Sequence, residues 1–310
     1  MADSHRQASR AGWIQKHQAN RIMGSRFVIV KKPEEELVEN GKAADPNNLS
    51  HWRVKARWCL QGHLDPDLSK KASSGQLQSP TLSQMGRTVL FQLMATFRWR
   101  LGDVKGAFLE AGPLPRCYRP LYARLPAGGI PGIDEDCLIE VLGNVYGQND
   151  APAAWYKVFN EEVLRAGFER SKFDNCLYWM KENGKLVGAL GAHVDDTATG
   201  GSGSKYTKAL EYLRQRFPYR KWRMDAGEFC GAHYQQDPSS MSIKMSRKSF
   251  ADALRSAHLP QNREANQPRA VPTEQHRPVL VSSPFQNQLF IISWKQTISS
   301  DVPNSFPTWM

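Results

Sequence analysis

The chain has 310 residues, a formal net charge of +11 and a hydrophobic content of 40 %, so it can bury a sizeable core and is too apolar to be disordered throughout. The cationic excess favours polyanionic partners, because each neutralised phosphate releases condensed counterions. Five cysteines without a CxxC pair argue against a disulfide framework or a cysteine-rich zinc site, the N-terminus is polar from its first residues with no apolar signal core, and no apolar stretch is long enough for a membrane span, so an intracellular protein, cytoplasmic or nuclear, with no membrane partner is expected.

Residues 1–20 are polar and basic and read as a flexible arm. RFVIV at 26–30 is a compact β-branched and aromatic run, a strand candidate. WRVKARWCL at 52–60 is a second: Val54, Ala56 and Trp58 alternate with Arg53, Lys55 and Arg57, giving one apolar and one cationic face. Residues 61–80 are rich in Gly, Ser, Asp and Pro and read as loop. From Leu82 to Phe97 the apolar positions Met85, Val89, Leu93, Met94 and Phe97 recur at helical spacing. Trp99–Val104 reads as a strand, and Ala153–Ala166 as an amphipathic helix stopped by Gly167.

Cys176–Met180 and Leu186–Val194 flank KENGK, whose Asn-Gly marks a β-hairpin. Its second arm runs straight into Asp195 and Asp196. A further helix fits Tyr206–Phe217. The mixture of helices with mostly antiparallel strands is an α+β pattern, assigned to one domain over 21–255. Residues 256–310 read as a divergent, poorly ordered tail in which LFIISW at 289–294 is the segment able to form a strand.

Three carboxylates stand apart by their setting. Asp103 ends a strand-like run, and Asp195 and Asp196 end another. Asp-Asp pairs are common in surface turns, but these acids sit at the ends of otherwise apolar strands. Neighbouring carboxylates there repel unless a multivalent cation or firm hydrogen bonds hold them. Two Mg²⁺ ions bridged by such groups form the clamp used for in-line phosphoryl transfer, and Mg²⁺ takes a few carboxylate oxygens together with substrate phosphates and water. A two-metal nuclease of another fold is the competing enzyme class. It needs a His or Glu general base beside the aspartates, for which His193 is the nearby candidate.

The ordered series KARW at 55–58, SPTLS at 79–83, GDVKGAFLE at 102–110, VYGQNDAPAAWY at 145–156, SKFDNCLYW at 171–179, HVDD at 193–196 and GEFCGAHY at 227–234 resembles the copia-type reverse transcriptases of retrotransposons. The resemblance implies a right-hand polymerase fold, fingers and palm, with an antiparallel palm sheet packed on helices. Asp103, Asp195 and Asp196 match the catalytic, metal-binding aspartates, with the Val104 carbonyl as a further ligand of two Mg²⁺ ions (Mn²⁺ as an alternative). Lys55, Arg57, Phe108, Gly147 and Gln148 match nucleotide-binding positions. Phe108 stands where an aromatic steric gate would exclude a ribose 2′-hydroxyl, and Pro152 lies in the same block as Gly147.

His193, Gly227, Phe229 and Gly231 match primer and template positions, with His193 replacing the usual tyrosine before V-D-D. Trp155 and Tyr156 read as core. The implied partners are an RNA or DNA template-primer and dNTPs. Ribonuclease H and integrase domains are expected in the parent polyprotein, of which this chain reads as a fragment with an incomplete thumb. The alternative is a catalytically inactive, nucleic-acid-binding relic.

Overall fold

The computed structural model describes residues 5–8, 11–34, 44–247, 251, 279–282 and 289–292. In chain order the first elements are β1 (His5–Ala8), α1 (Ala11–His17), β2 (Ile22–Met23), β3 (Ser25–Pro33), β4 (Trp52–Leu60) and α2 (Leu68–Ser73). Next come α3 (Gln84–Met94), β5 (Trp99–Val104), β6 (Tyr122–Arg124), β7 (Leu138–Val141) and α4 (Ala151–Arg165). Then follow β8 (Glu169–Arg170), β9 (Leu177–Glu182), β10 (Lys185–His193), β11 (Asp196–Gly201), α5 (Gly203–Arg216) and β12 (Tyr219–Met224). The last are β13 (Ala226–Phe229), β14 (Ala232–Gln236), β15 (Ile243–Ser246), β16 (Val279–Ser282) and β17 (Leu289–Ile292). The class is α+β with antiparallel sheets, as the element pattern predicts. The chain forms two compact units, one of Met1–Thr81 with Lys105–Ala166, the other of Leu82–Val104 with Gly167–Met310.

In the first unit β3 and β4 pair antiparallel from Ser25 opposite Leu60 to Pro33 opposite Trp52. Directly opposed residues share a face, so Arg26, Lys32, Arg53, Lys55 and Arg57 line one side, and Phe27, Ile29, Val54 and Ala56 the other. The alternation is as expected, but the apolar face does not turn to the core. Ile29 is 68 % and Val54 73 % exposed. The reason is that the unit's core of Met23, Leu121, Ala123, Ile139 and Val141 takes in only the root of the hairpin, at Leu60 and Trp58.

Two expectations are corrected in this unit. Residues 11–17 are not a mobile arm but helix α1, whose Ile14 is buried with Leu138. Residues 61–80 are not all loop, because α2 is fixed by a buried ion network. Lys71, only 1 % exposed, donates to Asp65 Oδ2 at 2.8 Å and lies 2.9 Å from Asp150 Oδ2. Burial opposes the Lys71 charge, but hydrogen bonds to the two carboxylates outweigh it and hold the ammonium above its ordinary range. Asp150 precedes α4 yet makes no capping bond with its side chain, which is committed to Lys71 instead.

The second unit is built on a six-stranded sheet in the order β12-β5-β11-β10-β9-β8. Asn183 (φ 51°) and Gly184 (φ 75°) make the tight β9–β10 turn that the Asn-Gly pair predicts. One face carries α3: a Cβ on Gly191 would stand 2.4 Å from Leu90, and Phe91 meets Trp99 edge-on at 5.8 Å. The opposite face carries α5, whose Tyr206 ring fills the space beside Gly188 and Gly201. A three-stranded sheet, β13-β14-β15, closes over α3, with Phe91 stacked on Tyr234 at 3.8 Å.

The phase of α3 differs from the expected stripe. Its buried positions are Gly86, Arg87, Leu90, Phe91 and Met94, while Met85 is exposed. Gly86 sets the phase, because a Cβ there would lie 2.1 Å from Asp174 Oδ2. The reading of 256–310 as a poorly ordered tail falls outside the described residues, apart from β16, which pairs antiparallel with β17 inside the LFIISW segment.

Candidate active site

The register of the six-stranded sheet gathers the sequence-nominated acids. His193 on β10 lies opposite Asp196 on β11, Asp196 opposite Asp103 on β5, and Asp103 opposite Arg220 on β12. Cross-strand partners project from the same face, so four neighbouring strands contribute one row: His193, Asp196, Asp103, Arg220. Val194 and Asp195 form the two-residue turn between β10 and β11. Val194 stands at φ 59°, a costly conformation for a β-branched residue. The turn is tied to the neighbouring strand by the Val104 N–H, which donates to the Asp195 carbonyl at 2.9 Å.

Burial, reinforced by the charges of Asp195 and Asp103, pushes the Asp196 carboxyl up to about 7, against a smaller opposite pull from Lys221 and Arg220. Asp103 is held by a fork: Arg220 Nε donates to Oδ1 and Nη2 to Oδ2, both at 2.9 Å. Like-charge crowding of oxygen donors suits a hard cation such as Mg²⁺. The arrangement is nevertheless not a preformed cage. Among the described residues no three acidic, histidine or cysteine side chains come together as ion ligands, and Arg220 covers both oxygens of Asp103. The donor set fits a divalent cation once that guanidinium withdraws.

The nominated nucleotide positions belong to the first unit and cluster around Tyr146. The Phe108 ring meets Tyr146 edge-on at 6.0 Å, and the Arg57 guanidinium lies 5.4 Å above the same ring. Arg57 Nε is buried without a hydrogen-bond partner. Lys55 shares the cationic face of β4 with Arg57. Gly147 has φ 88°, and a Cβ there would stand 2.1 Å from the Leu60 carbonyl, so the chain's own backbone already requires a glycine. Gln148 is buried. Its Oε1 accepts from the Val145 N–H at 2.6 Å, and its Nε2 has no partner. Trp155 is core, as expected.

Of the remaining nominations, Phe229 needs correction. It is 1 % exposed and packs edge-on against Phe91, so its side chain is a structural ring and cannot itself meet a nucleic-acid strand. Gly227 is constrained from within, since a Cβ there would lie 2.9 Å from Leu101. Gly231 (φ 69°) follows Cys230 (φ 49°) in the β13–β14 turn. Sequence reasoning missed three residues: Arg220, one of ten Lys and Arg between positions 205 and 248 with nothing local to single it out; Arg87, hidden by the wrong helical phase; and Asp174, which accepts from the Ser83 N–H at 2.9 Å and the Ser83 hydroxyl at 2.7 Å.

The chain is of the α+β class, with Asp103 and Asp196 side by side on neighbouring antiparallel strands and Asp195 in the adjoining turn. It matches the family model described as reverse transcriptase (RNA-dependent DNA polymerase) over residues 30–274, and it belongs to that family. Among curated proteins it is similar to the retrovirus-related Pol polyproteins from transposons RE2 and RE1 of Arabidopsis thaliana, 26 % and 25 % identical over 230 residues. Each alignment covers 73 % of this chain and 14 % of the relative, so the chain spans only a small part of those polyproteins.

Similar solved structures include a foamy viral protease-reverse transcriptase in complex with double-stranded DNA, at 12 % identity and a TM-score of 0.37, covering 72 % of this chain and 36 % of that one. A telomerase from Candida albicans shows 8 % identity and a TM-score of 0.40, covering 78 % and 47 %. Among the described residues no helix is long and apolar enough to cross a membrane.

Proposed function

We propose that this chain is the fingers and palm of an RNA-directed DNA polymerase from a copia-type retrotransposon Pol polyprotein, with Asp103, Asp195 and Asp196 as its catalytic carboxylates. The observation that carries the reading is the register that sets Asp196 opposite Asp103, with Asp195 in the adjoining turn. Those three carboxylates and the Val104 carbonyl would hold divalent magnesium, or manganese in its stead. When bound, the pair of ions supplies charge neutralisation and lines up the attacking and leaving oxygens. Arg220 must first release Asp103.

Lys55 and Arg57 bind the triphosphate of an incoming dNTP and stabilise charge on it during transfer. The partnerless Nε of Arg57 supports that role. Phe108 excludes a ribose 2′-hydroxyl, and Gly147 and Gln148 shape the nucleotide floor, where the unpaired Gln148 amide is a donor in waiting. His193 and the backbone at Gly227 and Gly231 contact the primer strand. Ribonuclease H and integrase domains would belong to the parent polyprotein.

A second reading, a nucleic-acid-binding relic that cannot extend a primer, is favoured by one observation: the Arg220 fork on Asp103. Primer extension on an oligonucleotide-primed RNA template separates the two. The polymerase reading expects dNTP incorporation with Mg²⁺ or Mn²⁺, lost in Asp195→Asn. A protein that binds the duplex yet extends nothing with either ion, even as Arg220→Ala, would be the relic.

A further inference from the structure

On the same face of the second unit as the aspartate row lies a cavity of about 230 Å³, lined by Ser83, Gln84, Arg87, His193, Cys230 and Arg247 among others. Its most demanding occupant is Arg87, on the first turn of α3 and only 8 % exposed. The Arg87 Nη1 donates to the Cys230 carbonyl at 3.2 Å, and among the described residues no carboxylate pairs with it. A guanidinium carries five donors, and burying its charge is costly unless an anion meets it. His193 brings an unmet group, a buried Nδ1 with no hydrogen-bond partner. Arg247 follows β15 and adds a second cation to the lining.

The start of α3 does not itself make this site. Ser83 Oγ accepts from the Gly86 N–H at 2.9 Å, and Asp174 takes the remaining bonds of Ser83, so that helix end is satisfied by the protein. None of the lining residues is acidic. A water occupies about 30 Å³ of liquid, so the cavity has room for a phosphate group with some of its hydration. Arginine forks match phosphate oxygens in geometry as well as charge. His193 also faces Asp196 across one strand pair, which sets the cavity directly beside the acids.

We infer that this cavity is a phosphate seat, in which Arg87, Arg247 and His193 hold one backbone phosphodiester of the strand whose end is presented to Asp103, Asp195 and Asp196. The inference rests on the polymerase reading for the identity of that strand. It makes Arg87 and Arg247 binding residues, fixing the register of the strand rather than reading its sequence.

The test is a methylphosphonate walk. Single neutral linkages are placed one at a time along the primer strand of a primer–template duplex, and affinity is measured for the full chain, Arg247→Ala and Arg87→Lys. One linkage should cost the wild type about fivefold to tenfold in affinity and cost the variants little, while the slope of log affinity against log salt falls by about one in Arg247→Ala. Arg247 is exposed, so this variant should keep the wild-type melting temperature, and Arg87→Lys keeps the charge while losing the fork.

If no linkage couples to either arginine, or if the wild type does not bind the duplex, the inference is wrong. Inorganic phosphate, tested in parallel by melting, distinguishes a free-anion site: protection of the wild type alone, without a coupled linkage, overturns the strand assignment. Extension by the same samples with Mg²⁺ separates this inference from the reading beneath it. A coupled linkage without extension refutes the polymerase and keeps the seat; extension without coupling does the reverse.

Discussion

Replacing Arg220 by alanine should weaken the protein without divalent cations and make it more responsive to them. The guanidinium makes two charge-assisted bonds to Asp103, both at 2.9 Å, from a side chain 34 % exposed to one 19 % exposed. Buried bonds to charged groups contribute about 1.5–3 kcal/mol each, while exposed ion pairs contribute at most about 1. This half-covered fork lies between, so Arg220→Ala should cost about 1–2 kcal/mol in a metal-free buffer. If a cation must take Asp103 from Arg220, the same energy opposes its binding, and removing the arginine should tighten that binding about 5- to 30-fold.

At a Mg²⁺ concentration ten times the wild-type dissociation constant, linkage gives the wild type about 1.4 kcal/mol, and a variant that binds tenfold tighter about 2.7. Thermal melting over a Mg²⁺ titration at fixed ionic strength reads both effects. The variant should start lower and climb further, a pair of changes that simple misfolding does not produce. A variant that starts lower but responds to Mg²⁺ at the wild-type midpoint would refute the idea that Arg220 and a metal ion compete for Asp103.

Two further outcomes follow from the site. Asp196, with its carboxyl raised from 3.8 to about 7 mainly by burial, binds its proton more tightly folded than unfolded. Its contribution is therefore fully present below the unfolded value and lost as pH rises through 7. Asp196→Asn should remove that decline, leaving the variant more stable above pH 7 without divalent ions, by an amount on the order of a few kcal/mol. Urea denaturation at pH 5 and pH 8 checks this, and an equal drop in both proteins would count against it. Phe108→Ala should admit ribonucleotides with little loss of dNTP use, because a gate acts by a clash rather than a favourable contact. Its stability cost should stay below the roughly 3–5 kcal/mol of a fully buried phenylalanine, since the ring is only partly covered. An unchanged dNTP/rNTP ratio in a destabilised protein would show Phe108 to be packing alone.

Much of the local structure was legible because it depends on neighbours in sequence. The β4 boundaries, the Asn-Gly turn and the stop at Gly167 each rest on a few adjacent residues. The burial of the β3–β4 hairpin was not, because alternation defines two faces without saying which one a core will cover. For α3 the segment holds apolar residues in almost every phase, and the deciding signal was the glycine at 86, small because Asp174 approaches it. Arg220 could not be singled out from composition, since its partner stands more than a hundred residues earlier in the chain and only strand order brings them together.

Strand order also explains why the acids form a row at all. Side chains alternate along a strand, so slipping any one of β5, β10, β11 or β12 by one residue would turn its member of the row to the opposite face. The tight Val194–Asp195 turn fixes the register of β10 against β11, and the bond from Val104 to the Asp195 carbonyl locks β5 to the same turn. Val194 therefore bears a left-handed backbone because the turn has only two residues in which to reverse the chain. Arg220 completes the arrangement from β12: it is the cation that meets both oxygens of Asp103 beside Asp196. The same guanidinium that stabilises the metal-free sheet must then move for the proposed chemistry, so the stability of this fold and the readiness of its site are set against each other at one residue.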